Sequence, residues 1–355
     1  MPPGWPAIFR GVVAFFVLGS VAASATDYYV STNGNDGNDG LSWATPLLTV
    51  SQAVTLATTD GDMVLLSNGV YDIAAEIAIT NGIALQGVWG RSNTVVRRSG
   101  AASYRLFTVS NATAVLEGLE LRNGNSPGGI GVFGGAVRMF DGTIRDCNLV
   151  SNNMVGSTGG EGGGAVGMSG GTIRDCNVIN NSSGNIGGGL YLAGSCLVSN
   201  CFIAGNLGVH GGAGILVASA GAVVTHCAIN NNSNSYYNGG GGVNMSAGTV
   251  RNCLIAGNRQ TMDGSDRGGG GVRLSGGSLV HCTVAGNQVL GGNKAGGVWW
   301  SGGAITNTIV YGNLKGTTAD NLMASPLTAI VYSCAPELTN GVGNVSQDPD
   351  FINLS

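Results

Sequence analysis

Residues 268–287 read Gly-Gly-Gly-Gly-Val-Arg-Leu-Ser-Gly-Gly-Ser-Leu-Val-His-Cys-Thr-Val-Ala-Gly-Asn, and close variants of this stretch recur through the second two-thirds of the 355-residue chain. The recurring anchor is a small residue, followed two places on by an aliphatic one and five places on by Asn. The anchors are Cys147, Cys176, Cys201, Cys227, Cys253, Cys282, Thr308 and Cys334, with Leu119 opening the series. The steps from Cys147 are 29, 25, 26, 26, 29, 26 and 26 residues. A period in this range marks a solenoid whose repeats bury their cores by stacking.

The pattern inside one period gives a cross-section. After each glycine run, residues alternate with period two, so that Val137/Met139, Val166/Met168, Leu190/Leu192, Ile215/Val217, Val243/Met245, Val272/Leu274 and Val298/Trp300 point inward. A glycine turn leads to a second strand, whose inward residue lies three places before the anchor (Ile144, Ile173, Val198, Val224, Val250, Leu279, Ile305). Strict alternation cannot bury both that residue and the anchor. The chain must bend between them. The residue ahead of the anchor is Asp146, Asp175, Asn200, His226, Asn252, His281 or Asn307, and these types are enriched in the left-handed backbone region. The expected fold is all-β: a right-handed parallel β-helix with three short strands per coil and roughly 9–12 coils, closed by a short N-terminal helix.

Composition agrees. Hydrophobic residues make up 43% of the chain and charged residues only 10%, too apolar for disorder. A net charge of −4 without a basic stripe argues against a nucleic-acid partner. Met1–Ala25 has the layout of a cleaved secretory signal: Arg10, the apolar stretch Gly11–Ala23, then Ala-Ser-Ala. The mature chain would be secreted or displayed on the outer-membrane surface, without a membrane span. Residues 26–72 are expected to cap the solenoid and 73–355 to form it. Within the cap, 45–57 suggests an amphipathic helix with Thr49 and Gln52 at capping-box spacing. The loop 33–40 is dense in Asn-Gly and Asp-Gly turns but lacks the ligand spacing of an EF-hand.

The opening Tyr-Tyr-Val-Ser-x-x-Gly-x-Asp from Tyr28, with Trp-Ala-Thr-Pro from Trp43 and the segment from Gly61 to Tyr71, resembles secreted bacterial proteins of the pectin-lyase-like β-helix fold. The Gly-Gly-Ala-Val repeats at 134–137 and 163–166 are similar to those of polymorphic outer-membrane proteins. The segment 343–351 resembles the Asp-Pro-x-Phe closing element of such β-helices. The chain then stops at Ser355, where more chain usually follows in such proteins, so the expectation is either a fragment or an end without a full cap. The resemblance implies two chemistries. Glycoside hydrolysis needs two facing carboxylates, and the lyases need an acidic calcium cluster with a basic residue beside a uronate.

Those groups would sit on the outward side of the first strand. The outward residues there are Arg138, Gly167, Tyr191, Leu216, Asn244, Arg273 and Trp299, with no acid among them. Asp146, Asp175, His226 and His281 are expected to be bend residues, and the six cysteines in the anchor column a buried thiol stack rather than disulfides. The best ligand-binding candidates are Tyr236, Tyr237, Asn244, Arg259, Arg267, Arg273 and Trp299, suited to a sugar or peptide. For catalysis the weak candidates are Asp263, Asp266 and Arg273. No metal site or cofactor is expected, and calcium would enter only with a lyase. The sequence therefore favours an exported structural, adhesive or carbohydrate-contacting protein over a polysaccharide lyase or glycoside hydrolase.

Overall fold

The computed structural model describes residues 24–127, 133–156, 162–235, 239–262, 268–292, 295–327 and 330–351. It is a parallel β-solenoid of about nine turns. A regular coil contributes four strand segments, such as Val272–Leu274, Ser278–Val280, Thr283–Ala285 and Gln288–Val289. The first two lie in one sheet, the third in a second sheet and the fourth in a third. The sequence pattern predicts only three. The fourth is two residues long, too short for alternation to register.

Register follows the repeat. Val243 pairs with Val272 and Val272 with Val298, and the predicted inward pairs are fully buried apart from Trp300, which packs half-buried against the core. In two coils the first and second segments run together as continuous strands, Val166–Arg174 and Leu190–Ser199.

The predicted bend is present in every regular coil. Asp146, Asp175, Asn200, His226, Asn252, His281 and Asn307 all have φ between 48° and 58°. A left-handed residue takes the next N–H out of the ladder, and the side chain of the following coil answers it. Cys147 N–H donates to Cys176 Sγ (3.4 Å), Cys282 N–H to Thr308 Oγ1 (3.3 Å) and Thr308 N–H to the Ser333 hydroxyl (3.2 Å). The column therefore selects small side chains that can accept a hydrogen bond, which is why Cys, Thr and Ser interchange in it. Ser333, after Tyr332 at φ 52°, takes the last place in this series; Cys334 instead bridges Ile309. The sequence spacing misplaces that anchor by one residue, because the preceding loop sets the step and apolar character does not.

Five residues after the first bend lies a second left-handed position: Ser151, Asn180, Gly205, Asn231, Gly257, Gly286 and Gly312. Each is followed by a fully buried Asn, giving the ladder Asn152, Asn181, Asn206, Asn232, Asn258, Asn287 and Asn313. Each of these amides is satisfied from above and below. Asn206 Oδ1 accepts from the Asn181 N–H (2.9 Å) and Nδ2 (3.0 Å), while Asn206 Nδ2 donates to Val178 O and to Asn232 Oδ1 (both 2.9 Å). The Asn that closes the repeat is thus an internal strut at the second corner.

At the N-terminal end, Asp27–Val30 pairs with Met63–Leu66, and the helix Val50–Leu56 lies against these strands. The helix starts later than the 45–57 pattern suggests. Leu47 bridges Val30, and the Asp36 carboxylate accepts from the N–H groups of Leu48 and Thr49, which fixes Thr49 as the N-cap. In the same loop Asp39 accepts from the Thr45 hydroxyl, and that bond holds its pKa below the usual carboxylate value. No helix among the described residues is long and apolar enough to cross a membrane.

Candidate functional site

The outward row of the leading strands is a physical column. Thr108, Arg138, Gly167, Tyr191, Leu216, Asn244, Arg273 and Trp299 occupy successive rungs in register. With strands about 4.8 Å apart, the five steps from Arg138 to Arg273 span about 24 Å.

The row is less open than alternation implies. Leu216, Asn244 and Trp299 are 7%, 8% and 6% exposed. The glycine turn ahead of each strand folds onto it. A Cβ on Gly212 would lie 3.1 Å from that of Asn244, and one on Gly240 would lie 2.9 Å from Arg273 N. Glycine is required there because backbone passes directly over side chain.

Two cation–aromatic groups stand along the row. Toward its C-terminal end, Arg273 donates to Asn244 Oδ1 (3.3 Å), and its guanidinium lies 5.5 Å from the Trp299 ring centroid. Toward its N-terminal end, Arg138 sits 4.5 Å over Phe140 and 5.7 Å over Phe133, and Phe133 packs against Tyr191 at 5.5 Å. Arg105 continues this group by donating to Phe133 O (2.6 Å) and pairing with Glu76 (3.3 Å), which also accepts from Thr108. Burial, with Arg138 nearby, pulls the Arg105 pKa below the usual arginine value, while Glu76 opposes that shift.

Three of the candidates, Asn244, Arg273 and Trp299, are thus brought together. Arg259 is exposed on the third sheet, between Ser233 and Gln288, and is not in this row. Tyr236, Tyr237, Asp263, Asp266 and Arg267 lie outside the described residues. Phe140 was within reach of sequence reasoning, since two places after Arg138 it shares the outward face. Phe133 and the Glu76–Arg105 pair carry no such periodic signal.

The acids and imidazoles expected at the bends are engaged there. Asp146 pairs with Arg91 (3.2 Å) and Asp175 with Arg174 (2.7 Å). Asn307 Nδ2 lies 2.9 Å from His281 Nε2, and the Thr225 hydroxyl 2.9 Å from His226 Nδ1. All eight cysteines are free and buried.

Two solved structures overlay most of the chain. A rhamnogalacturonan lyase matches with a TM-score of 0.51 at 12% identity over 87% of both chains. The pectate lyase Pel9A matches with a TM-score of 0.51 at 17% identity, covering 86% of this chain and 80% of its own. The chain shares their β-helix fold. No family model and no curated protein matches the sequence. At these identities the likeness concerns architecture, and chemistry has to be argued from side chains.

Proposed function

We propose that the protein is exported through a cleaved signal at Met1–Ala25 and acts outside the cell or at its surface by holding an acidic polysaccharide without cleaving it. The observation that carries this reading is the in-register row in which Arg138 on Phe133 and Phe140, and Arg273 beside Asn244 and Trp299, lie along one face. Guanidinium groups match carboxylates in geometry and charge, and the exposed Phe140 ring offers stacking surface for a sugar face. A row fixed by strand register is pre-organised for an extended, repeating ligand.

The rival reading, a polysaccharide lyase or glycoside hydrolase using Asp263, Asp266 or Arg273, draws on the shared fold alone; calcium would enter only with the lyase. Purified protein is passed over immobilised polygalacturonate and over neutral glycans, with and without calcium, and the eluate is assayed for unsaturated and reducing ends. The expected result is salt-sensitive retention on polygalacturonate, weakened at least fivefold by Arg138→Ala or Arg273→Ala, with no new ends. Turnover lost on Asp263→Ala or Asp266→Ala would overturn the non-catalytic reading. Absence of retention would overturn the binding reading.

A further inference from the structure

A second concave site lies at the N-terminal end of the solenoid. Tyr29, Trp43, Leu65, Ser67, Val88 and Trp89 line a cavity of about 400 Å³. Trp89 is 65% exposed and Trp43 47%, although each ring carries a large area that burial would stabilise. Tyr29 meets Trp43 edge to face at 4.8 Å, which holds that indole upright.

The loop bearing Trp89 is held from both sides. Asn93 Nδ2 donates to Trp89 O (2.8 Å), and Arg91 reaches across the corner to Asp175 O (2.6 Å) and Asp146 (3.2 Å). An exposed indole on a braced loop is pre-organised rather than collapsed. Beside the cavity, Tyr29 pairs with Leu65 and Leu65 with Gln86 in register, so Gln86 is the next outward residue of the same row. Among the described residues, the Tyr29 hydroxyl, both indole N–H groups and the Gln86 carboxamide have no hydrogen-bond partner.

We infer that this cavity binds a neutral saccharide, one or two sugar rings stacking their C–H faces on Trp43 and Trp89 while their hydroxyls bond to the free groups of Tyr29, Gln86 and the indoles. The lining carries no carboxylate or cationic side chain, so it holds no positive charge to pair with a uronate. A purely apolar ligand would leave four hydrogen-bonding groups unused, and a protein partner needs roughly 800 Å² of surface, far more than this cavity provides. The site is independent of the arginine row, and either can fail without the other.

The test uses intrinsic tryptophan fluorescence and calorimetry on the full protein, titrated with uncharged gluco-, manno-, galacto- and xylo-tetraoses. At least one should bind saturably, with affinity reduced tenfold or more by Trp89→Ala and by Trp43→Ala. Gln86→Leu should weaken it several-fold. Arg138→Ala and Arg273→Ala should leave it unchanged while polygalacturonate retention falls. Far-UV circular dichroism checks that the variants keep the fold. Binding of none of the four sugars, or binding indifferent to both tryptophan variants, overturns the inference.

Discussion

The regular coils and the first turns of the solenoid use the same strand pairing but treat polar groups in opposite ways. In the coils, corner donors such as those of Cys147, Cys227, Cys282 and the Asn ladder are answered from the next coil by a thiol, a hydroxyl or an Asn amide. In the first turns the loops do not repeat, and the Trp43 and Trp89 indoles, the Tyr29 hydroxyl and the Gln86 carboxamide stay unpaired around a cavity. Repetition marks positions where every coil faces the same backbone problem. Groups that meet a ligand must come from positions outside the repeat, such as the loops of the first turns, or from repeat positions that point outward. The arginine–aromatic row is of the second kind: it sits in regular coils, yet its residues vary freely because the core does not constrain them.

The contrast can be broken most severely by pH. Thiol–thiol hydrogen bonds along the column, with burial second to them, raise the pKa values of Cys176, Cys201 and Cys227 above the ordinary 9.0. Below about pH 9 both folded and unfolded chains keep these protons, so stability does not depend on them. Above it the unfolded chain releases protons that the folded chain retains, and stability falls as pH rises. One unit above the unfolded value amounts to about 1.4 kcal/mol per thiol, so these three should remove about 4 kcal/mol by pH 10. Urea midpoints measured from pH 7 to 10 check this. A flat profile, or thiols that react with a disulfide reagent in the native protein, would show that the column is open.

Next in size is a break in the Asn ladder. Asn206→Leu keeps the number and branching of side-chain heavy atoms but leaves the Asn181 N–H, one Asn181 Nδ2 hydrogen and the Val178 carbonyl without the Asn206 amide in the interior. Buried unpaired groups cost about 1–3 kcal/mol each, so the loss should be about 3 kcal/mol or more in chemical unfolding. A loss below about 1 kcal/mol would mean the ladder is not what holds the second corner. At the first corner the effect is smaller. Asn252, at φ 53°, should tolerate Gly, whereas Asn252→Val should cost about 1–2 kcal/mol because a branched side chain is strained in that region. Equal stability of the two variants would separate the bend from its residue type.

The coil was legible because its period, its inward pairs and its left-handed residues each leave a residue-type signature at fixed spacing. The fourth strand was not, since Gln288–Val289 and its equivalents are too short to alternate. The Asn at the end of each repeat was visible, but its role was not. Whether an Asn closes a strand at the surface or stacks inside depends on a second bend, at Ser151, Asn180 and Gly205, whose residue types differ. Of the candidate site, Asn244, Arg273 and Trp299 fell together because they share one register column. The cover that buries Asn244 and Trp299, and the Trp43–Trp89 cavity, come from loops meeting across sequence distances that no periodicity encodes.

The smallest effect on stability is expected where the effect on binding should be large. Trp89→Ala removes a ring that is mostly in water and leaves the Asn93 bond to its backbone carbonyl in place, so unfolding should shift by less than about 0.5 kcal/mol. Arg91→Ala removes the brace instead of the ring. It should lower saccharide affinity only by loosening the loop, and should do so without changing which sugar is preferred. If Trp89→Ala destabilised the fold as much as Asn206→Leu does, the indole would be a structural element of the first turns, and the division between a self-satisfied repeat and a ligand-ready end would not hold.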